Sequence, residues 1–177
     1  RSPASVDAFE TAVRAVIGQQ VSVAGARTVA GRIVEAVGTP VDAVDGIDRL
    51  FPRPEQLLAA PDEAFSMPHA RRDTIRRLAA AVLSGDVELH VGADPVVARE
   101  QLLRLRGIGP WTADYVVMRG LGHPDMFLDA DLGVRHALTS IGVDADRAHG
   151  WAPWRSYAVH HLWASLSPVD PTGRTTR

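Results

Sequence analysis

The sequence predicts an all-α fold. Apolar residues recur at helical spacing nearly throughout. Pro and Gly fall between the periodic segments and not inside them. Strand-type alternation appears nowhere over a useful length. With 177 residues, 46% of them hydrophobic, the chain can bury a sizeable core in one domain, or in a domain and a small lobe.

The elements follow in order. "SVAGARTVAGRIVEAVG" opens on Ser22, a good N-cap, repeats Ala26, Val29, Ile33 and Val37, and stops at Gly38. Residues 40–66 are rich in Pro and acids and read as a loop that divides two lobes. "RRDTIRRLAAAVLSG" is helical and ends near Gly85. "DPVVAREQLLRLRG" has Asp94 as cap and Pro95 at the first helical position, giving a helix over 96–106. Residues 107–109 form a hairpin, and "PWTADYVVMRG" is the next helix, over 110–119. "DLGVRHALTSIG" starts a helix at Asp131, and "PWRSYAVHHLWASL" is the last long one. The tail "SPVDPTGRTTR" is expected to be mobile.

Composition removes several function classes. No apolar run is long enough to cross a membrane, and no signal-peptide pattern opens the chain, so a cytoplasmic, nucleoid-associated protein is expected. The chain has no Cys, which excludes disulfides, thiolate zinc sites and iron–sulfur clusters. All 19 basic residues are Arg, so no lysine imine chemistry is available. His160 and His161 are adjacent and face different sides of a helix, and no His pair has zinc spacing; a catalytic metal is not expected.

The net charge of −2 gives no global argument for nucleic acid, but the charge is uneven. Residues 40–66 hold two Arg against six acids, whereas 71–77, "RRDTIRR", hold four Arg against one Asp, and 99–119 hold four Arg against two acids. Such runs are usually solvated faces.

The corner "LRLRGIGPWTADYVVMRG" carries the most chemistry. Gly107 and Gly109 flank Ile108 and leave amides bare at a helix N-terminus, where free N–H groups and the helix dipole favour an anion. Arg104, Arg106 and Arg119 would add positive charge, making a phosphate-sized site. The plainer reading is an αα-corner with a Gly C-cap. A dinucleotide site fits poorly, because no strand precedes the glycines and Thr112 replaces the third one.

"LRGIGPWTADYVVMRGLG" resembles the helix-hairpin-helix of DNA glycosylases. "DMFLDADLGVRHAL" resembles the stretch where that superfamily keeps its catalytic aspartate. "VDAFETAVRAVIGQQVSVAGA" and "WAPWRSYAVHHLW" resemble flanking segments of the bacterial 3-methyladenine DNA glycosylase II family. The likeness runs from about Val6 to Trp163, with the motif over 96–120.

The resemblance implies two helical lobes with the active-site cleft between them, in one domain over residues 1–177. The β-rich N-terminal domain of full-length relatives would be absent. Asp131 matches the catalytic aspartate, although Asp is also an ordinary N-cap. Asp129 matches no family acid and reads as a loop or capping residue. Trp111, Tyr115 and Trp163 match the aromatics that line the base pocket. A cationic base over such rings gains about 0.5–2 kcal/mol. Trp151 and Trp154 are assigned to packing.

Gly107, Ile108, Gly109 and Thr112 would grip the DNA backbone. The carbonyls of Leu103, Leu105 and Ile108 would hold a sodium or potassium ion when DNA is bound; no other cofactor is implied. At Gln20 the family's wedge residue is Leu, so Gln20 either fills the gap of the flipped base or the wedge lies elsewhere.

The activity implied is excision of alkylated, cationic purines from double-stranded DNA by nucleotide flipping, in a monomer without lyase activity. A non-catalytic DNA-binding module and a glycosylase for oxidised or mismatched bases are the alternatives.

Overall fold

The computed structural model describes residues 3–166. The tail from Ser167 on, expected to be mobile, lies outside the described residues. The architecture is helical, with two hydrophobic cores and one small β-hairpin.

α1 (Ala8–Gly18) is the central helix. It has charged residues at Glu10 and Arg14 alone, one turn apart and paired at 2.6 Å, so the rest of its circumference can be buried against α2 (Val23–Val37), α4 (His69–Ser84) and α6 (Pro110–Arg119). α2 (Val23–Val37) starts on Ser22, whose hydroxyl accepts the Gly25 N–H, and it sends Ile33 into the core with Ala26, Val29 and Val37 beside it.

The 40–66 region differs from expectation. It is structured and does not link two lobes. β1 (Thr39–Val44) and β2 (Ile47–Leu50) pair antiparallel around Asp45 and Gly46, both at positive φ, 51° and 82°. An Asp-Gly pair at positive φ is a tight-hairpin turn. Both strands are largely exposed on both faces, so they carry no alternation that periodicity could detect. α3 (Pro54–Ala59) then buries Leu57, and α3 packs on α4.

α4 (His69–Ser84) ends at Gly85 in the left-handed conformation. α5 (Pro95–Leu103) is capped by Asp94, whose carboxylate accepts the Val96 and Val97 N–H groups. It stops three residues before the expected 106, because the chain turns at Leu105 and the Ile108 N–H bonds the Leu105 carbonyl at 3.0 Å.

α6 (Pro110–Arg119) bridges the cores. Ala113 and Val116 belong to the first, Met118 to the second, and Tyr115 packs on both. α7 (Leu132–Ser140), the short α8 (Ala145–Ala148) and α9 (Arg155–Ser165) build the second lobe around Leu128, Val134, Leu138 and Val159.

The first turn of α9 positions the loop that leads to α7. The Arg155 guanidinium bonds both oxygens of Asp125, at 2.6 and 2.8 Å, and holds that carboxyl below the usual range. The buried Ser156 hydroxyl accepts the Met126 N–H and donates to the His123 carbonyl. That grip sets Leu128 in the second core and delivers Asp131 to the start of α7.

Candidate active site

The hairpin is fixed from two sides. Gly107 has φ +98°, and a Cβ there would overlap the Thr74 hydroxyl of α4. Only glycine tolerates both that conformation and that approach. On the other side Gln19, in the turn after α1, donates its amide to the Gly107 carbonyl and to the Thr112 hydroxyl, each at 3.1 Å. Ile108 anchors the corner in the first core.

α6 begins without a side-chain cap. Gly109 is the N-cap, Pro110 has no N–H, and the Trp111 and Thr112 amides make no backbone bond among the described residues. A Cβ at Gly109 would meet open space. This is the bare, electropositive helix start that the sequence implied.

Thr112, expected near the grip on the DNA backbone, is buried at 3% exposure, and its hydroxyl accepts the Gln19 amide.

Asp131 is both an N-cap and the centre of an aromatic cluster. Its Oδ1 accepts the Val134 N–H and the Trp163 indole N–H, each at 2.9 Å, and its Oδ2 accepts the Trp111 indole N–H at 2.9 Å. Trp111 stacks on Tyr115 with centroids 5.4 Å apart and planes at 22°, and Tyr115 meets Trp163 at 6.2 Å.

These four residues, expected to act together, line one open cavity of about 530 Å³. Its far wall is Ala15, Gly18, Val21, Val23 and Ala26, with Arg14 and Arg27 among the lining. It is an apolar, aromatic recess with one carboxylate, large enough for a single purine. Asp129 is exposed in the turn before it.

Gln20, at φ 57° and exposed, sits one residue from the cavity wall and lines an adjoining groove of about 410 Å³. Gly107, Arg106, Arg71 and Arg77 line the same groove. The basic run 71–77 therefore divides. Arg72 and Arg76 turn to Asp62, at 2.7 and 2.8 Å, while Arg71 and Arg77 have no acid partner among the described residues.

Two expectations fail here. Arg119 ends α6, nine residues from Pro110 and so about 14 Å along the helix; it donates to the Pro3 carbonyl and adds no charge at the hairpin. Trp154, assigned to packing, is 59% exposed and touches only Tyr157 among the aromatics, edge-on at 5.7 Å. Trp151 does pack, against Phe127 and the second core.

Gln19, Thr74, Arg14 and Arg27 had not been singled out from the sequence. For Gln19 the available signal was its place beside the wedge position. For Thr74 no signal existed, because it meets Gly107 only through the fold.

No family model matches the chain. The chain is 46% identical over 178 residues to a probable bifunctional transcriptional activator/DNA repair enzyme AlkA of Mycobacterium tuberculosis, covering 96% of this chain and 36% of that protein. It is 37% identical over 169 residues to DNA-3-methyladenine glycosylase 2 of Escherichia coli, covering 92% and 59%. The chain thus spans roughly a third to three-fifths of the length of these two relatives. Among solved structures, a DNA-3-methyladenine glycosidase from Bacillus halodurans superposes with a TM-score of 0.75 at 26% identity, over 95% of this chain and 79% of that one. Over the matched region the chain is thus a relative of the AlkA-type 3-methyladenine DNA glycosylases and shares the fold of the solved Bacillus halodurans glycosidase.

Proposed function

We propose that this chain is the helical, catalytic part of a base-excision repair glycosylase that hydrolyses the N-glycosidic bond of alkylated, cationic purines in duplex DNA. The observation that carries the reading is Asp131, a carboxylate at the wall of a purine-sized cavity lined by Trp111, Tyr115 and Trp163. The names of the relatives, which include DNA-3-methyladenine glycosylases, support it.

The target nucleotide leaves the stack and its base enters the cavity. The aromatic faces attract a positively charged base. As the C1′–N bond breaks, its electron pair goes to the base, which departs neutral, and positive charge grows on the sugar. The fixed Asp131 anion stabilises that charge. Water bonds to C1′ and its proton passes to the carboxylate. No general acid is required, because a base alkylated at N3 or N7 is already cationic.

The DNA backbone lies on the hairpin. The Gly109 and Trp111 amides at the α6 start, with Ile108 anchoring the turn and Thr112 packed behind them, receive a phosphate. Arg71, Arg77 and Arg106 line the groove that continues from it. The carbonyls of Leu103, at the end of α5, and of Ile108, in the hairpin, accept no backbone bond among the described residues, and that of Leu105 accepts one. Such oxygens suit a monovalent cation. When bound there, the ion would add positive charge beside the same phosphate.

The chain contains no lysine, so no lysine imine with the opened sugar can form. The product is an intact strand with an abasic site.

The test is chromatography of bases released from methylated duplex DNA incubated with the protein. Release of 3-methyladenine is expected, and borohydride should trap no protein–DNA adduct. Tight binding of the duplex with no base released would leave a DNA-binding module instead.

A further inference from the structure

The three N–H bonds to Asp131 are shared unequally. Oδ1 accepts two, from the Val134 amide and the Trp163 indole, while Oδ2 accepts one, from the Trp111 indole. Each carboxylate oxygen has about two acceptor sites, so Oδ1 is filled and Oδ2 keeps one open. We propose that Trp111 and Trp163 are positioning residues for Asp131, in addition to lining the cavity, and that they present Oδ2 to the sugar and the attacking water. The proposal rests on the reading of Asp131 as the carboxylate of base excision.

Two further features fit it. A Cβ at Gly133 would lie 3.1 Å from Asp131 Oδ1 and 3.3 Å from Trp163 Cδ1, so the first turn of α7 leaves the space through which the indole reaches the carboxylate. Trp163 is also met edge-on by His160, with centroids 5.5 Å apart and planes at 79°. On the other side, the Trp111 face stacks on Tyr115 and lines the cavity while its N–H holds Oδ2. One rigid ring thereby sets both the seat of the base and the oxygen that acts on its sugar. An indole N–H donates and cannot accept, so it holds the carboxylate as an acceptor.

Trp163→Phe keeps a ring and removes the N–H. Its kcat should fall about tenfold, the scale of one hydrogen bond to a charged group. Because Phe keeps an aromatic face in the cavity, KM should change less than kcat, and the protein should stay folded with a modest drop in Tm. Trp111→Phe should cost more in kcat, because it removes the sole bond to Oδ2, and it should also raise KM.

Gly133→Ala is the independent variant. Ala favours a helix over Gly, so Tm should hold or rise, while kcat drops several-fold because the new methyl presses on Oδ1 and the indole. In an Asp131→Asn background, Trp163→Phe should cost nothing further.

Wild-type kcat in both Trp163→Phe and Gly133→Ala, with base release abolished by Asp131→Asn, would overturn the proposal and leave the excision reading standing. So would a Trp163→Phe loss that is equally large when Asp131→Asn is already present. Should Trp163→Phe fail to fold, the kcat of Gly133→Ala decides alone. Base release undiminished in Asp131→Asn would instead sink the excision reading itself.

Discussion

Two helices begin beside each other in the cleft, and they begin in opposite ways. α6 starts on Gly109 and Pro110 with no side-chain cap, its first amides bare. α7 starts on Asp131, whose carboxylate caps Val134 and also receives two indole N–H groups. The two starts touch, since Trp111, the second residue of α6, donates to Asp131. Both helix dipoles therefore present their positive ends to one region. At α6 the chain withholds the anion, and under the proposed function a DNA phosphate supplies it. At α7 the chain supplies its own anion and fixes it, as the proposed reaction requires, since a developing sugar cation needs negative charge already in place. On that proposal one physical device serves binding at one helix and chemistry at the next.

The largest effect comes from removing the built-in anion. Asn is as good an N-cap as Asp and nearly the same shape. Asp131→Asn should keep the fold and DNA binding while base release falls at least about 10²–10³-fold, the usual cost of deleting an electrostatic stabiliser. Chromatography of released base reads it, and catalysis within tenfold of wild type would break the contrast between the two helix starts.

The next experiment turns α6 into a copy of α7. Gly109→Asp adds a capping carboxylate in open space, and helix capping typically contributes about 0.5–2 kcal/mol over an uncapped start. The gain over Gly should be at the low end of that range. Stability should hold or rise slightly, yet affinity for all duplexes should fall about tenfold or more, since the site for a phosphate now holds a negative charge. Backbone contacts carry no sequence information, so the loss should not depend on sequence. Gly109→Asn, which caps without charge, should lose much less. Unchanged affinity in Gly109→Asp would make the hairpin a mere corner. Gly107 cannot be used so cleanly, because any side chain there collides with Thr74.

A smaller effect separates the arginines of α4. Arg71→Gln and Arg77→Gln should each lower the slope of log affinity against log salt by about 0.9, one phosphate contact apiece. Arg72→Gln should leave that slope unchanged and lower Tm slightly, because Arg72 is paired with Asp62. Equal salt slopes in all three variants would mean that the groove beside the hairpin does not carry DNA.

These two helix starts were not equally legible in the sequence. The α6 start was readable locally, since Gly107, Gly109 and Pro110 have conformational meanings that do not depend on the fold. The α7 start was readable as a cap at Asp131, but the convergence of Trp111 and Trp163 on its two oxygens joins residues 20 and 32 positions away. Periodicity holds no record of such meetings, and family resemblance alone placed the three residues in one pocket. For the same reason the indoles were read as stacking faces and their N–H edges were missed. The β-hairpin escaped because its strands bury almost nothing, although Asp45-Gly46 marked its turn. Arg119 was misplaced because closeness in sequence is not closeness along a helix.

The smallest effect distinguishes the supports of the two starts. The hairpin is held by Gln19 and Thr74, which do not titrate. At α7 the indole that holds Asp131 is backed by His160, which does. Burial, with the positive Arg119 and His161 nearby, pushes the His160 imidazole below its ordinary 6.5, and its Nε2 is buried without a partner. The folded protein therefore favours the neutral ring. As pH falls through 6.5 the unfolded chain takes up a proton that the folded one refuses, so stability declines, and it levels off once the folded imidazole is protonated too. Between pH 7.5 and 5.5 the wild type should lose about 1–2 °C of Tm more than His160→Gln, a modest figure because the ring is only half-buried. Parallel Tm curves for the two proteins would show that the support of α7 is as insensitive to protons as that of α6.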